Sequence, residues 1–152
     1  VKLEGGIEII NTINYLTNKN INVMGHIGML PQKLKKKENI KIYGKTKQEK
    51  INFSRDIKAL TNSGVFAIVI EATYASLVNQ SIKDIKIPII GIGASNMCRG
   101  QILVTEDLIG LTNFNAKFLK KFANLSKEIN LALRRYSKEV KSGQFPTKKN
   151  MY

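Results

Sequence analysis

Ionisable side chains lie at the ends of three short apolar stretches of the chain. Lys2 and Glu4 belong to the first stretch, His26 follows the second after one glycine, and Glu71 directly follows six apolar residues, 65–70. A buried carboxylate is costly unless it is paired or bound to a metal ion. Side chains of these types can transfer a proton or hold a metal, so these four residues are the candidates for chemistry.

Three of these candidates, and the single cysteine, also have a structural interpretation. His26, the only histidine, is equally well explained as a hydrogen-bonded structural residue. Glu4 and Glu71 each precede a predicted helix, where an acidic side chain can stabilise the N-terminus, and we give this interpretation the smaller weight. Cys98, the only cysteine, lies near no nucleophile motif and is interpreted as inert.

The stretches that position these residues alternate between short β-branched runs and amphipathic segments. Strands are predicted at 1–4, 21–24, 65–70, 87–92 and 102–105, helices at 7–18, 48–62 and 74–83, and one helix or a helix pair at 115–142. A polar, lysine-rich segment at 31–47 is predicted to be a loop with room for one short helix. Such alternation is typical of parallel strands joined by crossover helices. In a parallel β/α barrel the carboxyl ends of all strands open onto one face, so we expect the four candidates to lie there together.

The charge of the chain is strongly positive. There are 25 Lys and Arg residues against 11 Asp and Glu, which gives a net charge of +14 and raises the alternative of a nucleic-acid-binding module. The lysines are scattered, however, and no aromatic residues interleave with them as a stacking platform would require. We therefore interpret the charge as a solvated surface and expect no nucleic-acid partner.

The length and composition indicate one globular domain spanning residues 1–152. No apolar run of about 18 residues is present, so no membrane span is expected, and no signal peptide is visible. A single cysteine excludes an internal disulfide and fits a reducing compartment. These features predict a cytoplasmic location.

Several segments together resemble one known family, the ketopantoate hydroxymethyltransferases. The segments that carry this similarity lie at 1–6, 23–32, 89–94, 100–104, 107–111 and 143–146. The Gly-His-x-Gly-x-x-Pro-Gln stretch at 25–32, taken with Gly-Ile-Gly-Ala at 91–94, is specific, and the order and spacing agree along essentially the whole chain.

The resemblance implies a fold and an activity. The fold would be the α/β class of (β/α)8 TIM barrels, with strands four to eight present here, a C-terminal helical region at 112–143 and a tail at 144–152. The activity would be transfer of a hydroxymethyl group from 5,10-methylenetetrahydrofolate to 3-methyl-2-oxobutanoate, giving 2-dehydropantoate in pantothenate synthesis. Mg²⁺ would be required, and the protein would be a homo-oligomer, commonly a decamer in the family.

The resemblance also implies roles for single residues. Glu71 matches the proton acceptor of the family, and His26 matches an active-site histidine. Lys2 matches a substrate-binding lysine, and Glu4 matches an acidic residue of the magnesium site. A related barrel of the phosphoenolpyruvate mutase and isocitrate lyase group, acting on another 2-oxo acid, is the alternative enzyme.

The chain also departs from the pattern of the family. Ser95, Arg99 and Glu106 stand where the family usually has Gly, Asp and His, which puts folate or substrate affinity in question. The two aspartates that carry the metal in the family have no counterpart in this chain. Because the chain starts with Val1 inside a predicted strand, we expect it to be an N-terminally incomplete form that is inactive alone.

Overall fold

The structure is a computed structural model that describes residues 1–33 and 41–152. It contains two compact units. The first comprises residues 1–102 with 116–118, and the second comprises residues 103–115 and 119–152. All of the predicted site residues belong to the first unit.

A five-stranded parallel sheet forms the centre of the first unit. Its strands are β1 (Lys2–Glu4), β2 (Met24–Gly28), β3 (Ala67–Glu71), β4 (Ile89–Ile92) and β5 (Gly100–Gln101). They are hydrogen-bonded in consecutive order, and every neighbouring pair is parallel. The predicted α/β class is therefore confirmed, and the consecutive order is the one that a (β/α)8 barrel requires.

Helices connect the first four strands. They are α1 (Ile10–Thr17), which follows a 3-10 turn at Ile7–Ile9, α2 (Lys47–Asn62) and α3 (Ala75–Ser81). Helix α2 begins with a capping box, in which Thr46 and Glu49 satisfy each other's backbone N–H groups. It ends at Ser63, and Gly64 then adopts a positive φ of 79°.

The core lies between the helices and one face of the sheet. Side chains alternate along β3, so Ile68 and Ile70 face the helices, whereas Val69 and Glu71 lie on the opposite face. The residues that pack around these isoleucines include Ile13, Phe53, Ile57, Leu60 and Val78, all almost fully buried. The apolar faces of the helices thus cover one face of the sheet, and the polar candidates lie on the other face of the sheet.

Two predicted strand boundaries were wrong. The second strand, predicted at 21–24, runs from Met24 to Gly28, because Gly25 and Gly28 have low strand propensity and mask it. The fifth strand, predicted at 102–105, is the short pair Gly100–Gln101. The segment at 31–47 forms a 3-10 turn at Pro31–Lys33, and its residues 34–40 lie outside the described part of the chain.

The second unit contains α4 (Thr105–Leu108) and α5 (Leu125–Lys141). The helix predicted at 115–142 begins only at Leu125, because the side chain of Asn124 accepts a hydrogen bond from the Lys127 N–H and caps it there. No residue of α5 is buried, although its apolar and polar residues are strongly segregated. Within the described residues, no helix is both long and apolar enough to cross a membrane.

Candidate active site

Glu4, His26 and Glu71 come together at the carboxyl ends of β1, β2 and β3. Glu4 pairs with His26 in register, and Glu71 lies two residues further along β3 than the partner of His26. All three positions have the parity of the sheet face opposite the helices. The structure thus places these three residues at the expected edge and on one face, while the roles assigned to them remain predictions.

His26 lies between the two carboxylates. Its Nδ1 is 3.5 Å from Oε1 of Glu4, and its Nε2 is 3.2 Å from Oε2 of Glu71. The imidazole is 1% exposed, and the carboxylate side chains are 9% and 10% exposed. Within the described part of the chain neither ring nitrogen has an aligned hydrogen bond, so these are close approaches rather than directional hydrogen bonds. This geometry does not support the interpretation of His26 as a hydrogen-bonded structural residue.

Neither glutamate caps a helix. Helix α3 has Tyr74 at its N-cap, and the 3-10 turn after β1 has Gly6 there, in both cases without a side-chain cap. Glu4 instead accepts a hydrogen bond through Oε2 from the Gln32 N–H, at 3.2 Å. The two carboxylates therefore face the sheet edge rather than the start of the following helix.

Lys2 lies on the same face as the three clustered residues but at a different level of the sheet. It pairs in register with Met24 and Ala67, two residues before the level of Glu4 and His26, and it is exposed. The structure thus places Lys2 on the face expected for it, below the Glu4–His26–Glu71 cluster rather than inside it.

Glu4 is compatible with a metal site but does not complete one. Within residues 1–33 and 41–152, no group of three or more His, Cys, Asp or Glu side chains is arranged to hold a metal ion. Mg²⁺ prefers octahedral oxygen coordination and usually keeps several waters together with substrate oxygens. The carboxylate of Glu4 fits as one such ligand, and the described residues do not supply the rest of a protein cage.

Ser95, one of the three departures from the family pattern, is buried in the loop between β4 and β5. Its hydroxyl donates a hydrogen bond to Oδ1 of Asn79 on α3 and accepts one from the Met97 N–H at 3.0 Å. Its carbonyl accepts a hydrogen bond from Nε2 of Gln101 at 2.7 Å. The serine thus ties this loop to α3 and β5.

The other two departures from the family pattern, Arg99 and Glu106, are exposed. Cys98 is buried, and burial raises the pKa of its thiol, which keeps it protonated and a poor nucleophile. This supports the interpretation of Cys98 as inert.

Sequence reasoning missed the residues that hold the backbone of Glu71. The Glu71 carbonyl accepts hydrogen bonds from the Met29 N–H and from Oγ1 of Thr73, both at 2.9 Å. A Cβ at Gly28 would lie 2.3 Å from this same carbonyl oxygen, so only glycine fits there. A glycine inside a strand is a signal of close backbone approach, and it could have indicated Gly28.

The chain is similar to ketopantoate hydroxymethyltransferases along nearly its whole length. A family model described as ketopantoate hydroxymethyltransferase matches residues 1–148. Three relatives carry the name 3-methyl-2-oxobutanoate hydroxymethyltransferase. The protein from Pelagibacter ubique is 46% identical over 152 residues, which are 100% of this chain and 58% of the relative. The protein from Enterococcus faecalis is 45% identical over 147 residues (96% and 54%), and that from Sulfolobus acidocaldarius is 40% identical over 150 residues (99% and 56%). The chain therefore spans a little over half the length of these relatives.

Proposed function

Because the chain belongs to the ketopantoate hydroxymethyltransferase family, we propose that the enzyme carrying it transfers a hydroxymethyl group from 5,10-methylenetetrahydrofolate to 3-methyl-2-oxobutanoate. The C3–H bond of the ketoacid breaks, and C3 forms a bond to the methylene carbon of the folate, whose two C–N bonds break in turn. One water supplies the hydroxyl group, and its other proton and the C3 proton end on the two nitrogens of the departing tetrahydrofolate. The product is 2-dehydropantoate.

The observation that carries this proposal is the position of the Glu71 carboxylate. It lies at the carboxyl end of a buried strand, on the same face as Glu4 and 3.2 Å from Nε2 of His26. A carboxylate held at such an edge can accept the C3 proton of a ketoacid bound beside it. His26 lies against Oε2 of Glu71 and so restricts the directions that the carboxylate can take.

Two further residues would bind the substrate and the metal. Lys2, on the same face, would neutralise the carboxylate of the ketoacid. Glu4 would be one ligand of Mg²⁺, which when bound supplies Lewis-acid chemistry that makes the C3 proton easier to remove. The support for both assignments is the family resemblance together with their place on the sheet.

The location and assembly of the enzyme are proposals of the same kind. We expect a cytoplasmic homo-oligomer that acts on small molecules, because the family resemblance implies this. Sedimentation velocity of the enzyme that carries the chain tests the assembly.

The test of the proposed reaction is turnover with a panel of 2-oxo acids. The enzyme that carries this chain should form 2-dehydropantoate and tetrahydrofolate from 3-methyl-2-oxobutanoate, and Glu71→Gln should lower kcat by roughly 10²–10⁴. The matched control is Glu128→Gln, an exposed glutamate on α5, which should leave kcat unchanged. Turnover of a different 2-oxo acid instead of this one would favour the related barrel enzymes.

A further inference from the structure

Ala72, the residue directly after Glu71, has an unusual backbone conformation. Its φ is +42°, and its side chain is buried. A left-handed backbone is uncommon for residues other than glycine and is tolerated best by asparagine and aspartate. In the described part of the chain the only other non-glycine residue of this kind is Asn20, at φ 58°. Alanine lacks the side-chain hydrogen bonding that helps asparagine there, so its surroundings must hold it.

Hydrogen bonds hold Ala72 from two sides. Its N–H donates to the Ile92 carbonyl at the end of β4, at 2.9 Å. Its carbonyl accepts from the Tyr43 N–H, at 2.7 Å, and the Tyr43 carbonyl accepts from the Tyr74 N–H, at 3.0 Å. The Glu71 carbonyl also accepts two hydrogen bonds. The carbonyl and the N–H of the peptide between Glu71 and Ala72 are therefore both hydrogen-bonded, as is the Ala72 carbonyl.

Tyr43 belongs to a short segment, residues 41–45, that crosses the end of β3 and that we call the strap. Both ends of the strap are attached to the start of α2 through Glu49. The Oε1 of Glu49 lies 2.6 Å from Nζ of Lys41, and its Oε2 accepts from the Lys45 N–H at 2.9 Å. In the middle, Gly44 lies so close to Leu77 of α3 that a Cβ would be 2.6 Å from its side chain.

We propose that Ala72 and the strap are positioning elements for Glu71. The inference rests on the function proposed above, in which Glu71 accepts the C3 proton. The left-handed conformation of Ala72 and the hydrogen bonds to the Glu71 carbonyl together fix the backbone at Glu71. The side chain of Glu71 therefore projects towards His26 from a fixed position. A displacement of about 1 Å at a reacting group can cost on the order of 10²-fold in rate, so such a clamp has a catalytic consequence.

The test uses variants at Ala72 and at the strap in the enzyme that carries the chain. Ala72→Val puts a β-branched residue where φ must be positive, so the peptide has to turn. Ala72→Gly keeps the conformation accessible. Tyr43→Pro removes the N–H that binds the Ala72 carbonyl, whereas Tyr43→Phe keeps it. The readout is hydrogen–deuterium exchange at C3 of 3-methyl-2-oxobutanoate without folate, measured as kcat and KM.

The expected pattern separates positioning from stability. Ala72→Val and Tyr43→Pro should each lower kcat of exchange by about 10- to 100-fold, with KM for the ketoacid changed less than about 2-fold. Ala72→Gly and Tyr43→Phe should stay near the parent rate. Asn20→Val is the matched control, because it places the same strain at a remote positive-φ position; it should lower the Tm but leave exchange unchanged.

Two outcomes would overturn the inference. One is exchange at the parent rate in both Ala72→Val and Tyr43→Pro; if Ala72→Val does not fold, Tyr43→Pro alone decides. The other is a rise in KM that accounts for the loss. Glu71→Gln tests the assignment on which the inference rests. If exchange survives in Glu71→Gln, the proposed role of Glu71 as proton acceptor fails; if it is lost there but kept in the other variants, only the positioning role fails.

Discussion

The two compact units of the chain use amphipathic sequence in opposite ways. In the first unit Phe53 and Leu60 of α2 are at most 1% exposed and pack in the core. In the second unit the apolar residues of α5 follow an equally regular helical spacing, yet Leu133 is 61% exposed and Tyr136 is 56% exposed. Periodicity therefore predicts which residues of a helix share a face but not what covers that face.

The same contrast separates the polar residues. In the first unit the carboxylates of Glu4 and Glu71 lie 3.5 Å and 3.2 Å from the ring nitrogens of His26 at a sheet edge, and all three side chains are largely buried. In the second unit the acidic residues of α5 are less buried, since Glu128 is exposed and Glu139 is half-buried. Desolvated ionisable groups held by regular elements are typical of functional sites, which is why the chemistry is assigned to the first unit.

The largest expected difference between the units is in the stability cost of shortening a leucine. Leu60→Ala removes a fully buried side chain and should lower the free energy of unfolding by about 2–5 kcal/mol. Leu133→Ala should change it by no more than about 0.5 kcal/mol, since the side chain is already in solvent. Urea denaturation of both variants measures this. A cost for Leu133→Ala as large as that for Leu60→Ala would show that the face of α5 is covered in solution.

The parts of the fold that local pattern decides were predictable. The run of six apolar residues before Glu71 predicted β3 and its carboxyl end, where Glu71 lies. The N-cap of α2 also follows from local sequence, since Thr46 and Glu49 have the spacing of a capping box. Local pattern was enough because these features depend on neighbours within a few residues.

The remaining features depend on contacts that are distant in sequence. The apolar spacing that predicted a helix from residue 115 includes Phe118. Phe118 instead packs against Gly93 in the first unit, and the helix begins only at Leu125. The positive φ of Ala72 depends on Tyr43, which is 29 residues away along the chain. Neither contact leaves a mark in the local sequence, so no pattern of residue types could have predicted it.

A smaller effect is expected from the loop between β4 and β5. Ser95→Ala removes the hydroxyl that binds Asn79 and Met97, and a lost buried hydrogen bond of this kind costs about 1–3 kcal/mol. Asn79→Ala and the double variant complete a mutant cycle, and the coupling energy should be about 0.5–3 kcal/mol. Thermal unfolding measures all three. Additive costs would mean that Ser95 and Asn79 do not hold the loop together.

The smallest effect compares two first-turn glutamates, one in each unit. The hydrogen bond with Lys41, followed by that from the Thr46 N–H, lowers the pKa of Glu49 from 4.5 to about 2. A lowered pKa in the folded state means that Glu49 contributes its full stability above pH 4.5 and loses it as the pH falls towards 2. Because Lys41 is 72% exposed, solvent screens the pair and its contribution to stability is small.

Unfolding of Glu49→Gln and Glu128→Gln between pH 6 and 2 tests this, since Glu128 occupies the first turn of α5 in the second unit. Glu49→Gln should be less stable than the parent at pH 6, and the difference should vanish towards about pH 2. If the stability difference between Glu49→Gln and the parent stayed constant over this range, or if Glu128→Gln showed the same pH dependence, the role assigned to the Glu49 carboxylate would be contradicted.

We propose that the chemistry lies at the sheet edge of the first unit, with Glu71 as the proton acceptor and Glu4 on the metal side. Deuterium exchange at C3 of 3-methyl-2-oxobutanoate without folate, measured over a range of Mg²⁺ concentrations, tests it most directly. Glu71→Gln should lower exchange by roughly 10²–10⁴ at every Mg²⁺ concentration, with ketoacid binding retained. Glu4→Gln should recover exchange as Mg²⁺ is raised. Normal exchange by Glu71→Gln would contradict the account and place the base elsewhere.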